Sequence, residues 1–218
     1  MIVDKIKFDD EDLVKEKILI GICLSERGGL PLQFVQSLIT LLPAEVFWVT
    51  GTMIEENRNK IWNYAVKNNF DYIMMIDSDQ VFDIHHFNLL KETMLKTKAD
   101  IVTGIYFQQK TPEKDFDSSV IFGKFNENGF GNYEMIKDIP MEPFKIGACG
   151  MGFCLIKKTV FGMKEPFWRL KLGNAYFAED ISFCHRAVKN GFNIICDPRV
   201  VIGHLRLVDI TPDKYKSI

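Results

Sequence analysis

Short runs of apolar residues alternate with segments of helical spacing along the first half of the chain. The clearest run is Tyr-Ile-Met-Met-Ile at residues 72–76, which is unbroken and stops at two aspartates. A continuous apolar run of this length is typical of a parallel strand that is buried on both faces. We predict this strand and three others, at residues 18–24, 45–50 and 100–107.

Three predicted helices separate these strands. Residues 31–42 begin with a proline, which suits the first turn of a helix. Residues 54–67 and 83–98 carry apolar side chains at intervals of three and four. The residues expected to face the core are Phe34, Leu38, Leu41, Ile61, Trp62, Ala65, Val66, Phe87, Leu90, Met94 and Leu95. This alternation of strand and helix predicts βαβ units and a mainly parallel sheet.

The pattern changes in the second half of the chain. Residues 120–125 and 133–139 predict a small antiparallel hairpin around an Asn-Glu-Asn-Gly turn. A Gly-rich segment at residues 147–152 is expected to let the backbone bend beside a ligand. The other predicted elements are a polar loop at residues 108–119, a strand at 153–156, a short helix at 158–163, a helix at 179–190 and extended segments at 192–196 and 199–202.

Composition narrows the functional classes. The chain has 218 residues, of which 47% are hydrophobic and 26% charged, as in ordinary globular proteins. A net charge of −2 gives no electrostatic case for a nucleic-acid partner. Five scattered cysteines without CxxC spacing indicate buried, reduced thiols in a cytoplasmic protein. No apolar run approaches the roughly 20 residues of a membrane-spanning helix, so we expect no integral membrane segment.

Asp77 and Asp79 form a D-x-D pattern at the end of the apolar run. Ligands of open α/β sheets bind beyond the carboxyl ends of the strands, and two close carboxylates favour a divalent cation shared with the phosphate oxygens of a substrate. The same spacing at residues 10–12 and 115–117 lies in acidic or polar surroundings that indicate solvated surface. The structural alternative is that Asp77 caps the following helix while Asp79 is in water.

Three further groups are candidates for chemistry. Glu179 and Asp180 begin a predicted helix, where acidic residues either complement the helix dipole or face a cleft as a general base, and Asp180 is the preferred base. His204 follows the last extended segment and is either a structural hydrogen-bonding residue or a ligand for Mn²⁺ among carboxylates. Arg58 either reaches a diphosphate or pairs with Glu55 one turn earlier.

In order and spacing, these segments resemble the GT-A glycosyltransferases, and specifically the inverting, family-2-like enzymes. The resemblance implies an α/β fold of Rossmann-like type, with three α/β/α layers, a mainly parallel central sheet and a small antiparallel hairpin. It spans about residues 17–205 and implies a single domain over residues 1–218, with a nucleotide-binding half at about 17–107, an acceptor-side half at about 108–206 and a polar tail at 207–218. The matching segments are residues 18–29, Asn57-Arg58-Asn59, residues 71–79, 147–153 and 178–187, Gly191 and residues 201–204.

The resemblance also implies a role for each candidate. Asp77 and Asp79 would hold Mn²⁺ or Mg²⁺ on the diphosphate of a nucleotide sugar, and His204 would complete the metal shell. Asp180 would be the catalytic base, with Glu179 beside it. The implied donor-binding residues are Leu24, Ser25, Glu26, Arg58, Asp77 and Ser78. The implied partners are a UDP- or GDP-sugar and a glycan or other acceptor hydroxyl.

The implied function is a metal-dependent glycosyltransferase of the inverting type. Two departures bear on it: the Q-x-x-R-W acceptor motif is absent after Asp180, which leaves the acceptor and the stereochemistry open, and Gln80 stands where many members have a third acid. One alternative is a sugar nucleotidyltransferase, which is disfavoured because residues 25–29 contain only one basic residue, Arg27. Another is a non-catalytic domain that binds nucleotide sugars.

Overall fold

The computed structural model describes residues 16–24, 29–108, 118–119, 121–126, 132–172 and 175–205. Four α-helices and one short 3-10 helix lie in this part of the chain. They are α1 (Leu32–Ile39), α2 (Ile54–Lys67), α3 (Ile84–Thr97), α4 (Glu179–Lys189) and the 3-10 helix Lys158–Val160. None of these helices is long and apolar enough to cross a membrane.

The strands of the described residues form one large sheet and several small ones. They are β1 (Ile18–Leu24), β2 (Glu45–Thr50), β3 (Tyr72–Asp77), β4 (Gln80–Val81), β5 (Ile101–Ile105), β6 (Phe107–Gln108), β7 (Ser118–Ser119), β8 (Ile121–Asn126), β9 (Asn132–Met135), β10 (Phe144–Ile146), β11 (Ala148–Cys149), β12 (Phe153–Lys157), β13 (Lys171–Leu172), β14 (Ala175–Tyr176), β15 (Ile194–Val201) and β16 (Gly203–His204).

The large sheet has seven strands in the order β10-β15-β5-β12-β3-β1-β2. Strands β1, β2, β3, β5 and β15 run in one direction, whereas β12 is antiparallel to both its neighbours and β10 is antiparallel to β15. The mainly parallel sheet predicted from the sequence is therefore confirmed. Because β12 runs the other way, the Gly-rich segment before it lies at the edge of the sheet where β3 ends.

Helices cover both faces of this sheet, which confirms the three layers. One apolar cluster joins Trp62 of α2 and Phe183 of α4 to alternate strand residues such as Ile73. The other joins Phe34 of α1, and residues of α3, to the opposite face of the same strands. Successive strand side chains point to opposite faces, so β3 is apolar throughout because both of its faces are covered.

Most of the predicted core residues are buried, but two are not. Val66 is 44% exposed and Leu95 is 63% exposed. Each directly follows a buried residue, Ala65 and Met94 respectively. Neighbouring side chains on a helix point about 100° apart, so the second apolar residue of each pair turns away from the sheet. The prediction that Val66 and Leu95 face the core is therefore wrong.

The second half of the chain differs in detail from its prediction. Strands β8 and β9 pair antiparallel, as the predicted hairpin requires, although residues 127–131 of its turn lie outside the described residues. Most of the predicted loop at 108–119 also lies outside them. The two extended segments expected at 192–196 and 199–202 are one strand, β15, with an irregularity between Cys196 and Val201.

The five cysteines are buried free thiols, as predicted. The Sγ atoms of Cys149 and Cys184 are 4.0 Å apart, which is a contact without a covalent bond.

Candidate functional site

A cleft of about 620 Å³ lies at the carboxyl ends of β1, β2 and β3. Seven of the residues predicted for the site line it: Leu24, Arg58, Asp77, Ser78, Asp79, Glu179 and Asp180. The structure thus places both acids of the D-x-D pair and the acids that begin α4 around one hollow. Ser25 and Glu26 lie outside the described residues, as do the D-x-D patterns at 10–12 and 115–117.

A second cavity, of about 660 Å³, lies near the amino ends of β1 and β2. Ile18, Glu45 and Phe87 are among its lining residues, and none of the described site residues is. Although it is slightly larger, it lies at the end of the sheet opposite to the predicted chemistry.

Asp77 is the last residue of β3, and its carboxylate is paired with the guanidinium of Arg58 instead of capping a helix. Its Oδ1 atom accepts a hydrogen bond of 2.9 Å from Nη2 of Arg58. The alternative in which Asp77 caps the following helix is wrong, because Asp83 has that role. Asp83 accepts from the backbone N–H of His86, and the His86 ring accepts from the backbone N–H of Asp83.

Arg58 links two acids that are far apart in the sequence. It is only 4% exposed, and its Nε donates to Oε1 of Glu179 at 3.1 Å while its Nη2 donates to Asp77. Burial by itself would lower the pKa of Arg58, but the surrounding negative charges raise it above its ordinary value. The expected alternative, a pair with Glu55, is wrong because Glu55 pairs with Arg169 at 3.2 Å.

Asp79, which lines the cleft, contacts His204. The Nε2 atom of His204 is 3.0 Å from Oδ2 of Asp79, and its Nδ1 atom is 3.0 Å from the carbonyl oxygen of Phe107. A carbonyl oxygen can only accept, so Nδ1 carries a proton. Nε2 then faces a carboxylate oxygen, which is favourable only when a proton or a metal cation lies between them.

The backbone holds this pair in place. Strand β16 pairs with β4, with Gly203 opposite Val81 and His204 opposite Gln80. In addition, the backbone N–H of Leu205 donates to the carbonyl oxygen of Asp79 at 2.7 Å. The imidazole is therefore fixed beside the D-x-D loop.

Asp79 and His204 supply a carboxylate and an imidazole, which suit Mn²⁺. Within the described part of the chain, no group of three His, Cys, Asp or Glu residues is arranged to hold a metal ion. Asp77, the third predicted ligand, is directed at Arg58 instead. Divalent cations in nucleotide sites commonly use one or two carboxylates and complete their shells with water and phosphate oxygens, so the donor set fits such a cation.

Glu179 and Asp180 begin α4 but have different surroundings. Glu179 is 7% exposed and is bound to Arg58. Asp180 is partly buried, and the backbone N–H of Ile181 donates to its Oδ1 atom at 2.7 Å. Burial and then the charge of Glu179 raise the pKa of Asp180 to about 6. A carboxylate with a pKa closer to neutrality is a better proton acceptor at neutral pH, so Asp180 is the stronger candidate base.

Tyr106 is a part of the site that the sequence did not indicate, and it contacts Gly152 of the Gly-rich segment. Tyr106 lines the cleft, its hydroxyl oxygen accepts from the backbone N–H of Gly152 at 3.1 Å, and its ring meets the ring of His204 edge to face at 5.7 Å. A Cβ atom at position 152 would lie 2.8 Å from Cζ of Tyr106. The Gly-rich pattern indicated that some group packs closely against this backbone, but it did not indicate that the group is the side chain of Tyr106.

Asn57 lines the cleft, and both Asn57 and Asn59 hold backbone segments against α2. The Nδ2 atom of Asn57 donates to the carbonyl oxygen of Gly51 at 3.0 Å, which holds the turn after β2 against α2. Oδ1 of Asn59 accepts from the backbone N–H of Phe167 at 3.1 Å. Both asparagines are buried, and of the two only Asn57 holds backbone that lines the cleft.

Neither a protein-family model nor a curated protein matches this sequence. Solved structures do match it. One is A197 from STIV, with 16% sequence identity and a TM-score of 0.61 over 90% of this chain and 91% of that chain. Another is GalNAc-T7, crystallised with UDP, GalNAc and Mn²⁺, with 10% identity and a TM-score of 0.56 over 89% of this chain and 44% of that chain.

The chain has the GT-A fold. This was the fold predicted from the sequence, and it is confirmed in its layers, its sheet and its small antiparallel sheet of β11, β8 and β9. In this GT-A fold the described site residues converge at the edge of the sheet where β1 and β3 end.

Proposed function

We propose that this protein is a metal-dependent glycosyltransferase that moves a sugar from a nucleotide-diphosphate sugar to an acceptor hydroxyl. The observation that carries the proposal is that Asp77, Asp79 and Asp180 line one cleft at the carboxyl ends of the strands of a GT-A fold. The cleft volume of about 620 Å³ lies within the range of about 300–1,000 Å³ that is usual for small-molecule sites.

The charge of the cleft favours a divalent cation. Four carboxylates line it, from Asp77, Asp79, Glu179 and Asp180, against the single guanidinium of Arg58 among the described residues. A diphosphate entering this field would be repelled unless a cation came with it. Asp79 and His204 would hold Mn²⁺ or Mg²⁺, with Asp77 as a further ligand. When bound, the cation would neutralise the charge of the departing nucleoside diphosphate as a Lewis acid.

The donor nucleotide is assigned to the strand-end side of the cleft. Leu24 and Ser78 line it at or directly after the strand ends, and the buried Arg58 also lines it. Ser25 and Glu26 follow β1 directly in the sequence and remain predicted donor contacts. UDP- and GDP-sugars are the donor classes proposed, and the acceptor is a glycan or another hydroxyl compound.

Asp180 is assigned as the base of an inverting transfer. Its carboxylate takes the proton of the acceptor hydroxyl while the acceptor oxygen bonds to the anomeric carbon of the sugar. The bond between that carbon and the phosphate oxygen breaks at the same time, and the nucleoside diphosphate leaves from the opposite face. Glu179 is less suited to this role because its carboxylate is bound to Arg58, which keeps it in place.

We further propose that residues 1–218 form a single domain. Strand β1 at the start and β15 near the end belong to the same sheet, and β16 pairs with β4 beside the cleft. The two halves, about 17–107 and 108–206, thus contribute to one site: Asp77 and Asp79 come from the first, and Asp180 and His204 from the second.

Calorimetry with UDP and GDP, each with and without Mn²⁺, tests the proposal, followed by an assay of sugar-nucleotide hydrolysis. We expect Mn²⁺-dependent binding of one nucleotide and slow hydrolysis of its sugar derivative. Binding without hydrolysis or transfer would favour a non-catalytic domain that binds nucleotide sugars. Release of pyrophosphate from a nucleoside triphosphate and a sugar phosphate would favour a nucleotidyltransferase.

A further inference from the structure

Arg58 is held at two points inside the candidate site. Its Nη2 atom is 2.9 Å from Asp77 and its Nε atom is 3.1 Å from Glu179. The side chains of Arg58 and Glu179 are 4% and 10% exposed, whereas that of Asp77 is 31% exposed. The bond to Glu179 is therefore the buried anchor, and the bond to Asp77 is the one that faces the cleft.

The two acids of the D-x-D pair consequently point at different partners. Oδ1 of Asp77 is bound to Arg58, whereas Oδ2 of Asp79 faces His204. A cation that used both aspartates would have to compete with the guanidinium for Asp77. Close ion pairs that are partly buried are screened weakly by solvent, so this competition lowers the affinity for a cation that arrives alone.

Arg58 also has an unused donor. Its Nη1 atom is buried and has no hydrogen-bond partner among the described residues. Buried donors in folded proteins are nearly always paired, and an unpaired one needs an explanation. Because Arg58 lines the cleft, an anionic oxygen of a ligand is a natural partner for this atom, and guanidinium groups bind phosphate oxygens with two parallel hydrogen bonds.

We propose that Arg58 is a counter-ion that holds Asp77 away from a divalent cation until a nucleoside diphosphate is bound, so that cation and nucleotide bind cooperatively. Diphosphate oxygens replace Asp77 at Nη2 and occupy Nη1, and the released carboxylate of Asp77 turns to the cation. Glu179 keeps the guanidinium in place through Nε while its partner at Nη2 changes. This inference rests on the proposed function for the identity of the anion.

The first test measures Mn²⁺ alone, by calorimetry and by the electron paramagnetic resonance signal of the free aqua ion. Arg58→Gln should bind Mn²⁺ roughly tenfold more tightly than the wild type, since linked sites usually differ by about 5–150-fold. Lys60→Gln removes the same charge from the exposed side of α2 and should leave the affinity unchanged. Asp77→Asn added to Arg58→Gln should abolish the gain.

A second, double variant controls for loss of stability in Arg58→Gln. Removing Arg58 alone leaves the buried carboxylate of Glu179 uncompensated, which is strongly destabilising. The pair Arg58→Gln and Glu179→Gln removes one positive and one negative charge, so the formal charge of the cleft is unchanged. A gain in Mn²⁺ affinity in this double variant therefore reports the release of Asp77. Equal Mn²⁺ affinities in the wild type and the double variant would overturn the proposal.

The second test repeats the Mn²⁺ titrations with saturating UDP and with saturating GDP. In the wild type, the nucleotide that binds should raise the affinity for Mn²⁺ at least about fivefold. In the double variant, the nucleotide should raise this affinity by a smaller factor. An unchanged tightening would overturn the cooperative role of Arg58. If neither nucleotide binds any variant, the proposed function fails, whereas the Mn²⁺-only comparison still decides whether Arg58 restrains Asp77.

Discussion

The Nε2 atom of His204 lies 3.0 Å from Oδ2 of Asp79, although 125 residues separate the two in the sequence. Strand β16 brings the imidazole to the D-x-D loop by pairing with β4. The carbonyl group of Phe107 fixes the other ring nitrogen, at 3.0 Å from Nδ1. An oriented imidazole beside a carboxylate is the part of the candidate metal site that is already assembled, and it sets the first prediction.

Asp79→Ala should abolish Mn²⁺-dependent binding of UDP or GDP and leave the fold intact. The side chain of Asp79 is 45% exposed, so its removal should change the free energy of unfolding by less than about 0.5 kcal/mol. Calorimetry measures binding, and circular dichroism during heating measures stability. Asp83→Ala is the matched control: it removes the N-cap of α3, which should cost about 0.5–2 kcal/mol of stability while nucleotide binding persists. Wild-type affinity in Asp79→Ala would place the cation elsewhere.

Asp180→Asn should bind the donor and fail to transfer its sugar. The amide has nearly the shape of the carboxylate but cannot accept the proton of the acceptor hydroxyl. Loss of general base catalysis typically lowers the rate by a factor of about 10²–10⁴. Steady-state kinetics with calorimetry separates the two effects, and undiminished turnover would remove Asp180 from the role of base.

The rate of transfer should rise with pH through about 6. Burial, and then the charge of Glu179, raises the pKa of Asp180 from 3.8 to about 6, and the base acts in its deprotonated form. Below that pH the rate should fall by roughly tenfold per pH unit. The folded state also binds this proton more tightly than the unfolded state, so the contribution of Asp180 to stability is present below about pH 4 and is lost as the pH rises through about 6. A rate that does not depend on pH between 5 and 7 would contradict this assignment.

Gly152→Ala should destabilise the fold and disturb the site. The new Cβ atom would lie 2.8 Å from Cζ of Tyr106 and 3.0 Å from Nε2 of Gln80, and both side chains are buried. Overpacking of this kind costs about 1–3 kcal/mol. Thermal unfolding measures the loss, with Gly162→Ala as the control, since its Cβ would meet nothing within 4 Å. Equal unfolding temperatures for the two variants would mean that the contact relaxes without strain.

The sequence predicted which residues line the site better than it predicted which side chains they bind. The apolar run before Asp77 and the helix that begins at Glu179 are local patterns, and both residues line the cleft as expected. The partner of Arg58 could not be chosen in this way, because Glu55 is one turn away while Glu179 is 121 residues away. Local periodicity reports contacts within a turn or two, whereas this ion pair depends on how α2 and α4 lie on one face of the sheet.

The sequence pattern could not predict the direction of β12 either. Its apolar run predicts a buried strand whichever way it points, and only its pairing with β3 and β5 shows that it is antiparallel. That direction places Gly152 beside Asp77, whose backbone N–H donates to the carbonyl oxygen of Gly152 at 3.0 Å. The role of Tyr106 follows from the same arrangement, so it too became visible only in three dimensions.

The short ladder between β4 and β16 makes the candidate site depend on residues far along the chain. A nascent polypeptide that stops before residue 203 already contains the seven strands of the large sheet and both aspartates of the D-x-D pair. It still lacks the imidazole that faces Asp79 and the backbone N–H of Leu205 that bonds to it. The candidate cation site thus depends on residues near the end of the described chain, and a chain that stopped before residue 203 would contain the strands of the sheet but an unfinished cleft.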